Sequence, residues 1–330
     1  KTIYRMKILI TGGAGYVGSK LVPKLLEVNH EVTVFDLMIY GEDVLDNHSK
    51  LKKVKGDIRN QKLLTETIPG HDAVIHLACI SNDPSFELNP TLGKSINFDA
   101  FEPLVKISRD ANVNKFIYAS SSSVYGIKSD KNVTEDMKLE PLTDYSKFKA
   151  ECEKILNNYA SEDFVVTTVR PSTVCGYAKR QRLDLVVNIL TNHAFHNRII
   201  KVFGGEQLRP NIHIDDMADS YLAILGAPNK KINKEIFNIG FKNQSVDELA
   251  LDVKSVLGED IKVIKTASND NRSYHVSSKK ISEVIGFETK KTVENAVEDL
   301  KVAFQKGLLP NSMIDEKYFN IKRMNSIKLK

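Results

Sequence analysis

The chain has 330 residues, 42% of them hydrophobic and 27% charged, the composition of a folded protein with a real core in one large domain or two intimately joined ones. It carries 47 basic and 42 acidic residues, a mild excess of +5. Much of that excess sits in the last stretch, KYFNIKRMNSIKLK (317–330), which reads as a solvated tail. No nucleic-acid-binding motif accompanies it, and nucleic acid is not expected as a partner.

MKILIT (6–11) is a short apolar strand stopped by GGAGYVG (12–18), and SKLVPKLLEVNH (19–30) has helical apolar spacing. EVTVFD (31–36) is a β-branched strand ending in an acid. LKKVKGD (51–57) reads as a strand, NQKLLTETI (60–68) as a helix and DAVIHLA (72–78) as a strand. NFDAFEPLVKISRDAN (97–112) then reads as a helix, KFIYASS (115–121) as a strand and TDYSKFKAECEKILNNYA (143–160) as a long helix. FVVTTVRPSTVCG (164–176) is a strand breaking at Pro171. This alternation predicts an α/β fold: a doubly wound, Rossmann-type parallel sheet with helices on both faces.

Beyond Gly176 the rhythm loosens. RLDLVVNILTNHAF (182–195) is helical, IIKVFGG (199–205) strand-like and HIDDMADSYLAILGA (213–227) helical. EIFNIGF (235–241) is another strand, and SVDELALDVKSVLG (245–258) opens on a Ser-x-x-Glu capping box. The expected organisation is a dinucleotide-binding domain over 1–176 with a strand and helix near 210–258. A smaller lobe, 177–209 and 259–330, holds the substrate.

No apolar run approaches the ~20 residues of a membrane span, and no signal-peptide pattern is present. KTIYR, ahead of Met6, reads as an upstream extension or an alternative start. Cys79, Cys152 and Cys175 lack CxxC or Cys/His metal spacing. Reduced thiols in a cytoplasmic protein without a metal site are the expectation.

The chemistry concentrates in three places. Gly12, Gly15 and Gly18 lie between a strand and a helix, with Tyr16 and Val17 on the same loop. The first glycine permits a tight turn, the second lets backbone approach a pyrophosphate and the third lets helix and strand pack. Asp36, ending the next strand, suits an unphosphorylated ribose, so NAD is favoured over NADP. Asp57 and Ile58 fall beside the adenine by the same topology, and Leu77 and Ala78 end the strand facing the cofactor. In DYSKFKAE, Tyr145 and Lys149 are four apart on one helix face. The third place is ASSSSVYG (119–126), four serines at a strand end, where α/β sheets bind ligands.

With a phosphate loop, a serine strand end and Tyr-x-x-x-Lys in that order, the chain resembles the extended short-chain dehydrogenase/reductase family, in its nucleotide-sugar epimerase/dehydratase branch. HLAC (76–79), SVYG (123–126), RPSTVCG (170–176) and RPNIHIDDMA (209–218) are similar to landmarks of that branch. The resemblance implies NAD as cofactor, a nucleotide sugar as substrate and Tyr145 as the acid/base, with Lys149 holding the nicotinamide ribose. A phenol titrates near 10. Lowering it by about three units needs about 4 kcal/mol, which one close ammonium supplies at an effective dielectric near 20. Lys149, together with the positive nicotinamide ring, is therefore expected to favour the phenolate.

Counting back from Val124, the hydroxyl that bonds the reacting oxygen falls on Ser121. Ser122 and Ser123 stand where 4,6-dehydratases carry Asp-Glu, where sugar-acid decarboxylases carry a Glu and where fucose-synthase-type enzymes carry a Cys. A serine without an adjacent base replaces neither carboxylate nor thiolate. Plain redox at one carbon remains, and Ser122 becomes a sugar contact.

The resemblance also places Thr173 and the loop Ser81–Asn82–Asp83 at the sugar, although the family often has Asn where Thr173 stands. Arg180 and Arg182 meet the diphosphate or sit in solvent. Arg209 clamps a phosphate, Arg272 is a weaker match, and His213 is a framework residue. Homodimerisation through two helices per subunit, one of them that of Tyr145, is implied as well. The implied reaction is hydride transfer at C4 by a dehydrogenase or 4-epimerase, with a 4-keto-sugar reductase as the alternative and a non-catalytic NAD sensor as the rival class. The chain is further similar to GDP-heptose-modifying members of the branch, including GDP-D-glycero-D-manno-heptose 4-dehydrogenases, which act in polysaccharide biosynthesis.

Overall fold

Strands buried on both faces read as near-continuous apolar runs, and β1 (Lys7–Thr11), β2 (Glu31–Asp36), β4 (Ala73–His76) and β6 (Val165–Pro171) have that character. The computed structural model describes residues 4–268, 273 and 275–330. The remaining strands are β3 (Leu51–Lys55), β5 (Lys115–Ala119), β7 (Thr173–Cys175), β8 (Ile199–Phe203), β9 (Leu208–His213), β10 (Glu235–Ile239), β11 (Lys242–Ser245) and β12 (Lys262–Thr266).

Among the described residues, seven parallel strands form the central sheet in the order β10-β6-β5-β4-β1-β2-β3. The strand order reverses between β1 and β4, where Thr11 pairs with His76. In a sheet of this kind the crevice beyond that reversal, at the carboxyl ends, receives the ligand. The helices Gly18–Glu27 and Ile214–Gly226 pack together on one face, and Phe101–Asp110 with Asp144–Tyr159 on the other. Leu21, Val22, Leu25, Met217 and Tyr221 lie in one apolar cluster, and Phe101, Leu104 and Leu156 in a second. The doubly wound fold is as expected.

Three features differ from the sequence reading. The strand at 164–176 does not merely break at Pro171. Beyond the proline, which has no N–H to donate, Thr173–Cys175 leaves the main sheet and pairs with Asn211–His213 in a second sheet of order β11-β9-β7. The segment near 210–258 divides between the lobes. Ile214–Gly226 and β10 join the Rossmann half, whereas Val246–Leu257 packs with Val186–Asn197 and Val293–Gln305.

The third difference is a correction: 317–330 is not a solvated tail. It contains the helix Asn320–Ser326 and folds back on the Rossmann half, with Met324 buried in the second apolar cluster and Leu329 against it. Its lysines stay outward, while Arg323 donates to the Ile39 carbonyl and sparse apolar side chains anchor it.

Local signals set the helix starts. Ser245 Oγ accepts from Glu248 N at 3.1 Å and Glu248 Oε2 accepts from Ser245 N at 2.8 Å, completing the expected capping box. Thr143 and Ser146 form a second such box, fixing the helix that carries Tyr145 one residue inside its start. No helix among the described residues is long and apolar enough to cross a membrane. Cys79, Cys152 and Cys175 are unpaired.

Candidate active site

Gly12 sits at φ +72°, and a Cβ there would lie 2.6 Å from Ala78 N. A Cβ on Gly18 would lie 2.3 Å from the Gly13 carbonyl oxygen. The first position needs glycine for its backbone angle, the second for the close approach of helix and loop. The Tyr16 hydroxyl donates to the Gly176 carbonyl at 2.6 Å and accepts from Asn188, tying the phosphate loop to the second lobe.

Asp36 ends β2 beside this loop and accepts from Ala14 N at 3.0 Å and Met38 N at 2.7 Å. Burial raises its pKa, against those two donors and the Arg180 charge. Asp57 is held by the Arg59 guanidinium, which brings its pKa down in spite of partial burial.

The Tyr145 ring is buried edge-on to Phe86, 6.2 Å between centroids. Lys149 donates to the Ala119 carbonyl at 2.7 Å and lies 5.8 Å from the Tyr145 ring centre. Burial pushes the Tyr145 phenol well above its ordinary value, with Cys79 and Asp83 adding to the rise and the Asn82 backbone N–H opposing it. The Lys149 ammonium, engaged by the Ala119 carbonyl, lies 5.1 Å from the Tyr118 ring centre.

The four serines separate by partner. Ser120 is buried and donates to Glu153 at 2.5 Å, and Glu153 in turn grips Arg170 through both carboxylate oxygens. Ser121 caps the short turn Ser122–Tyr125, accepting from Ser123 N at 3.1 Å, with its hydroxyl 2.8 Å from that of Ser123. Ser121, Ser122 and Ser123 all line the cavity that holds Tyr145.

That cavity, about 450 Å³, brings together every described candidate: the phosphate loop, Asp36, Asp57, Ile58, Leu77, Ala78, Ser81, Asn82, Ser121, Ser122, Tyr145, Lys149, Thr173, Arg180 and Arg209. Arg272 lies outside the described residues. Arg180 is placed against the cofactor half, 3.5 Å from the Tyr40 ring centre, with its backbone N–H donating to Ser19. Arg182 is paired with Asp184 and donates to Ser81 at 3.1 Å. Neither arginine sits in solvent, being 3% and 8% exposed. Burial brings Arg180 down to about 10. His213 is a framework residue, accepting from Asp215 N and facing Asp299 at 2.8 Å.

Asp83, on the loop expected at the sugar, reaches the Tyr145 end. Sequence reasoning missed several other lining residues: Cys79 lies at that same end, and Ser172 follows Pro171 with a buried hydroxyl that has no partner among the described residues. Ser172 was findable from its place at the break of β6. Tyr40, Asn320, Met324 and Leu329 carry no such signal.

An adenine dinucleotide fits these residues. A glycine cradle that any Cβ would fill, a carboxylate at the end of β2, and two buried arginines whose Arg180 Nε and Arg182 Nη2 lack partners among the described residues all line one channel. On a doubly wound sheet that arrangement is the site of a dinucleotide-binding protein. Residues 8–240 match the NAD dependent epimerase/dehydratase family, and the chain belongs to that family. It is 28% identical to the UDP-glucose 4-epimerase of Lactobacillus helveticus over 78% of this chain and 83% of that protein. It is 30% identical to the human dTDP-D-glucose 4,6-dehydratase over 78% of this chain and 75% of the relative. The structure of the Thermotoga maritima UDP-glucose 4-epimerase with UDP-glucose superimposes at a TM-score of 0.83, with 25% identity, covering 92% of this chain and 100% of that one. The protein is an NAD-dependent enzyme of nucleotide-sugar chemistry.

Proposed function

We propose that the enzyme oxidises or epimerises C4 of a nucleotide-activated sugar, with Tyr145 as the proton-transferring group. The observation that carries this reading is the hydroxyl set facing Tyr145. Ser122 and Ser123, the two positions after Ser121, offer neither carboxylate nor thiolate, which disfavours C6 elimination and carbanion epimerisation.

Bound NAD supplies the hydride acceptor and a positive ring that favours the phenolate. Tyr145 takes the proton of the sugar hydroxyl and returns it when the ketone is reduced. Ser121 steadies the oxygen that changes oxidation state, and Lys149 holds the nicotinamide ribose. Arg209 and Arg182 meet the diphosphate or the sugar, with Ser81, Asn82 and Thr173 at the hydroxyls. The similarity to GDP-heptose 4-dehydrogenases makes a GDP-linked heptose the first substrate to try. We further propose a homodimer through the helices Phe101–Asp110 and Asp144–Tyr159, where Ile107, Phe148 and Ile155 are half-buried.

The test is mass spectrometry of the purified enzyme with a panel of GDP-, UDP- and dTDP-sugars. Loss of two hydrogens, or an unchanged mass with a shifted sugar NMR spectrum, is the expected result. Loss of water would overturn the reading. Gain of two hydrogens on a 4-keto sugar would favour the reductase.

A further inference from the structure

The adenosine end of the channel has an outer wall drawn from the opposite end of the chain. Asn320 is 5% exposed and joins three loops. Its Oδ1 accepts from the Tyr40 hydroxyl at 2.9 Å and from Arg180 Nη2 at 2.7 Å, and its Nδ2 donates to Ser81 at 3.1 Å. Its backbone N–H donates to Asp184 at 2.9 Å. One turn on, Arg323 Nε donates to the Ile39 carbonyl at 2.6 Å, and Arg59, which grips Asp57, donates to the Lys330 carbonyl at 2.7 Å. Met324 and Leu329 line the channel together with Ile58 and Ile96.

We propose that 316–330 is a strap closing the adenosine compartment, latched by Asn320, and that its release limits exchange of the dinucleotide. This rests on the reading that Asp36 and Asp57 hold the adenosine. The latches at Asn320, Arg323 and Lys330 span from the strap to the loops after β2, β3 and β4 or to 180–184, the rims of that compartment. None reaches Tyr145 or Ser121. An adenosine held among Asp36, Asp57 and Ile58 would therefore be covered by a segment anchored by these hydrogen bonds and by Tyr318, Met324 and Leu329, which pack into two apolar clusters. Opening it breaks this limited set of contacts and leaves the rest of the core intact. A strap slower than turnover keeps one NAD through both half-reactions, as an epimerase needs; a faster one lets a dehydrogenase exchange it.

The experiment measures NADH release by stopped-flow fluorescence from the wild type, Asn320→Ala and Arg323→Ala, with release of reduced nicotinamide mononucleotide alongside. Loss of the three Asn320 side-chain bonds predicts NADH release at least about tenfold faster, and loss of the single Arg323 latch a smaller gain, with mononucleotide release unchanged. Hydrogen exchange on the full wild-type chain should show ADP-ribose slowing exchange over 320–326, a readout that stands if a variant misfolds. Unchanged NADH release, equal acceleration of both ligands, or no protection by ADP-ribose would each overturn the strap. Asp36→Ala separates the two readings: weakened ADP-ribose binding with unaltered strap kinetics discards the strap alone, and unweakened binding discards the adenosine placement as well.

Discussion

Glu153→Ala removes the carboxylate around which the site's elements are assembled. Arg170 and Glu153 are 2% and 3% exposed. Arg170 Nε and Nη2 reach the two carboxylate oxygens at 3.0 and 2.7 Å, and Ser120 Oγ donates to the same group at 2.5 Å. The Arg170 Nη1 also donates to the Tyr125 hydroxyl at 2.8 Å. The carboxylate thus joins the helix of Tyr145, the end of β6 and the serine run. Removing one member of a buried pair strands the other charge, at about 3–5 kcal/mol. With an unfolding entropy of about 0.7 kcal/mol/K for a chain of this length, the melting temperature should fall by about 4–7 °C. Differential scanning calorimetry reads this directly. A fall below about 1 °C would show that the pair contributes nothing net, and the reasoning would fail.

Gly12→Ala forces a methyl to within 2.6 Å of Ala78 N at a positive φ; destabilisation of about 1–3 kcal/mol and NAD affinity weakened tenfold or more are expected, on the order of one bond-worth of contact. Calorimetric titration showing unaltered affinity would remove the loop from the pyrophosphate site. His76 is 3% exposed and contacts Thr11 Oγ1 at 2.6 Å; burial first, then the Lys149 charge, bring it down to about 3. The unfolded chain binds that proton near pH 6.5, so stability is complete above that pH. It declines as pH falls from about 6.5 to 3, at up to about 1.4 kcal/mol per unit. Urea midpoints across that range check it, and His76→Gln should flatten the acid limb. Light scattering at micromolar concentration should report a dimer, and a monomer would contradict the assigned helix face.

What was legible from sequence had a local cause. The glycine triplet, Asp36 and the Tyr145–Lys149 pair each declare themselves within a few residues, and all of them line one cavity. The capping box at Ser245 did the same for its helix. β9 was invisible, because LRPNIH mixes polar residues with a proline and draws its strand character from pairing with β7 and β11. The spacing of Tyr145 and Lys149 is written in the sequence, while the burial that raises the phenol's pKa and the Ala119 carbonyl that receives the ammonium are not. The strap was hidden most deeply. Asn320 meets Tyr40 across 280 residues, and the basic character of its segment describes only the outward face.

Tyr145→Phe tests the central claim most directly, since it removes one oxygen and leaves the buried ring. NADH formation in a single turnover on an accepted nucleotide sugar should slow by about 10²–10⁴-fold, while NAD affinity stays within about twofold of the parent. A variant that forms NADH at close to the parental rate would contradict the assignment of Tyr145 as the proton-transferring group.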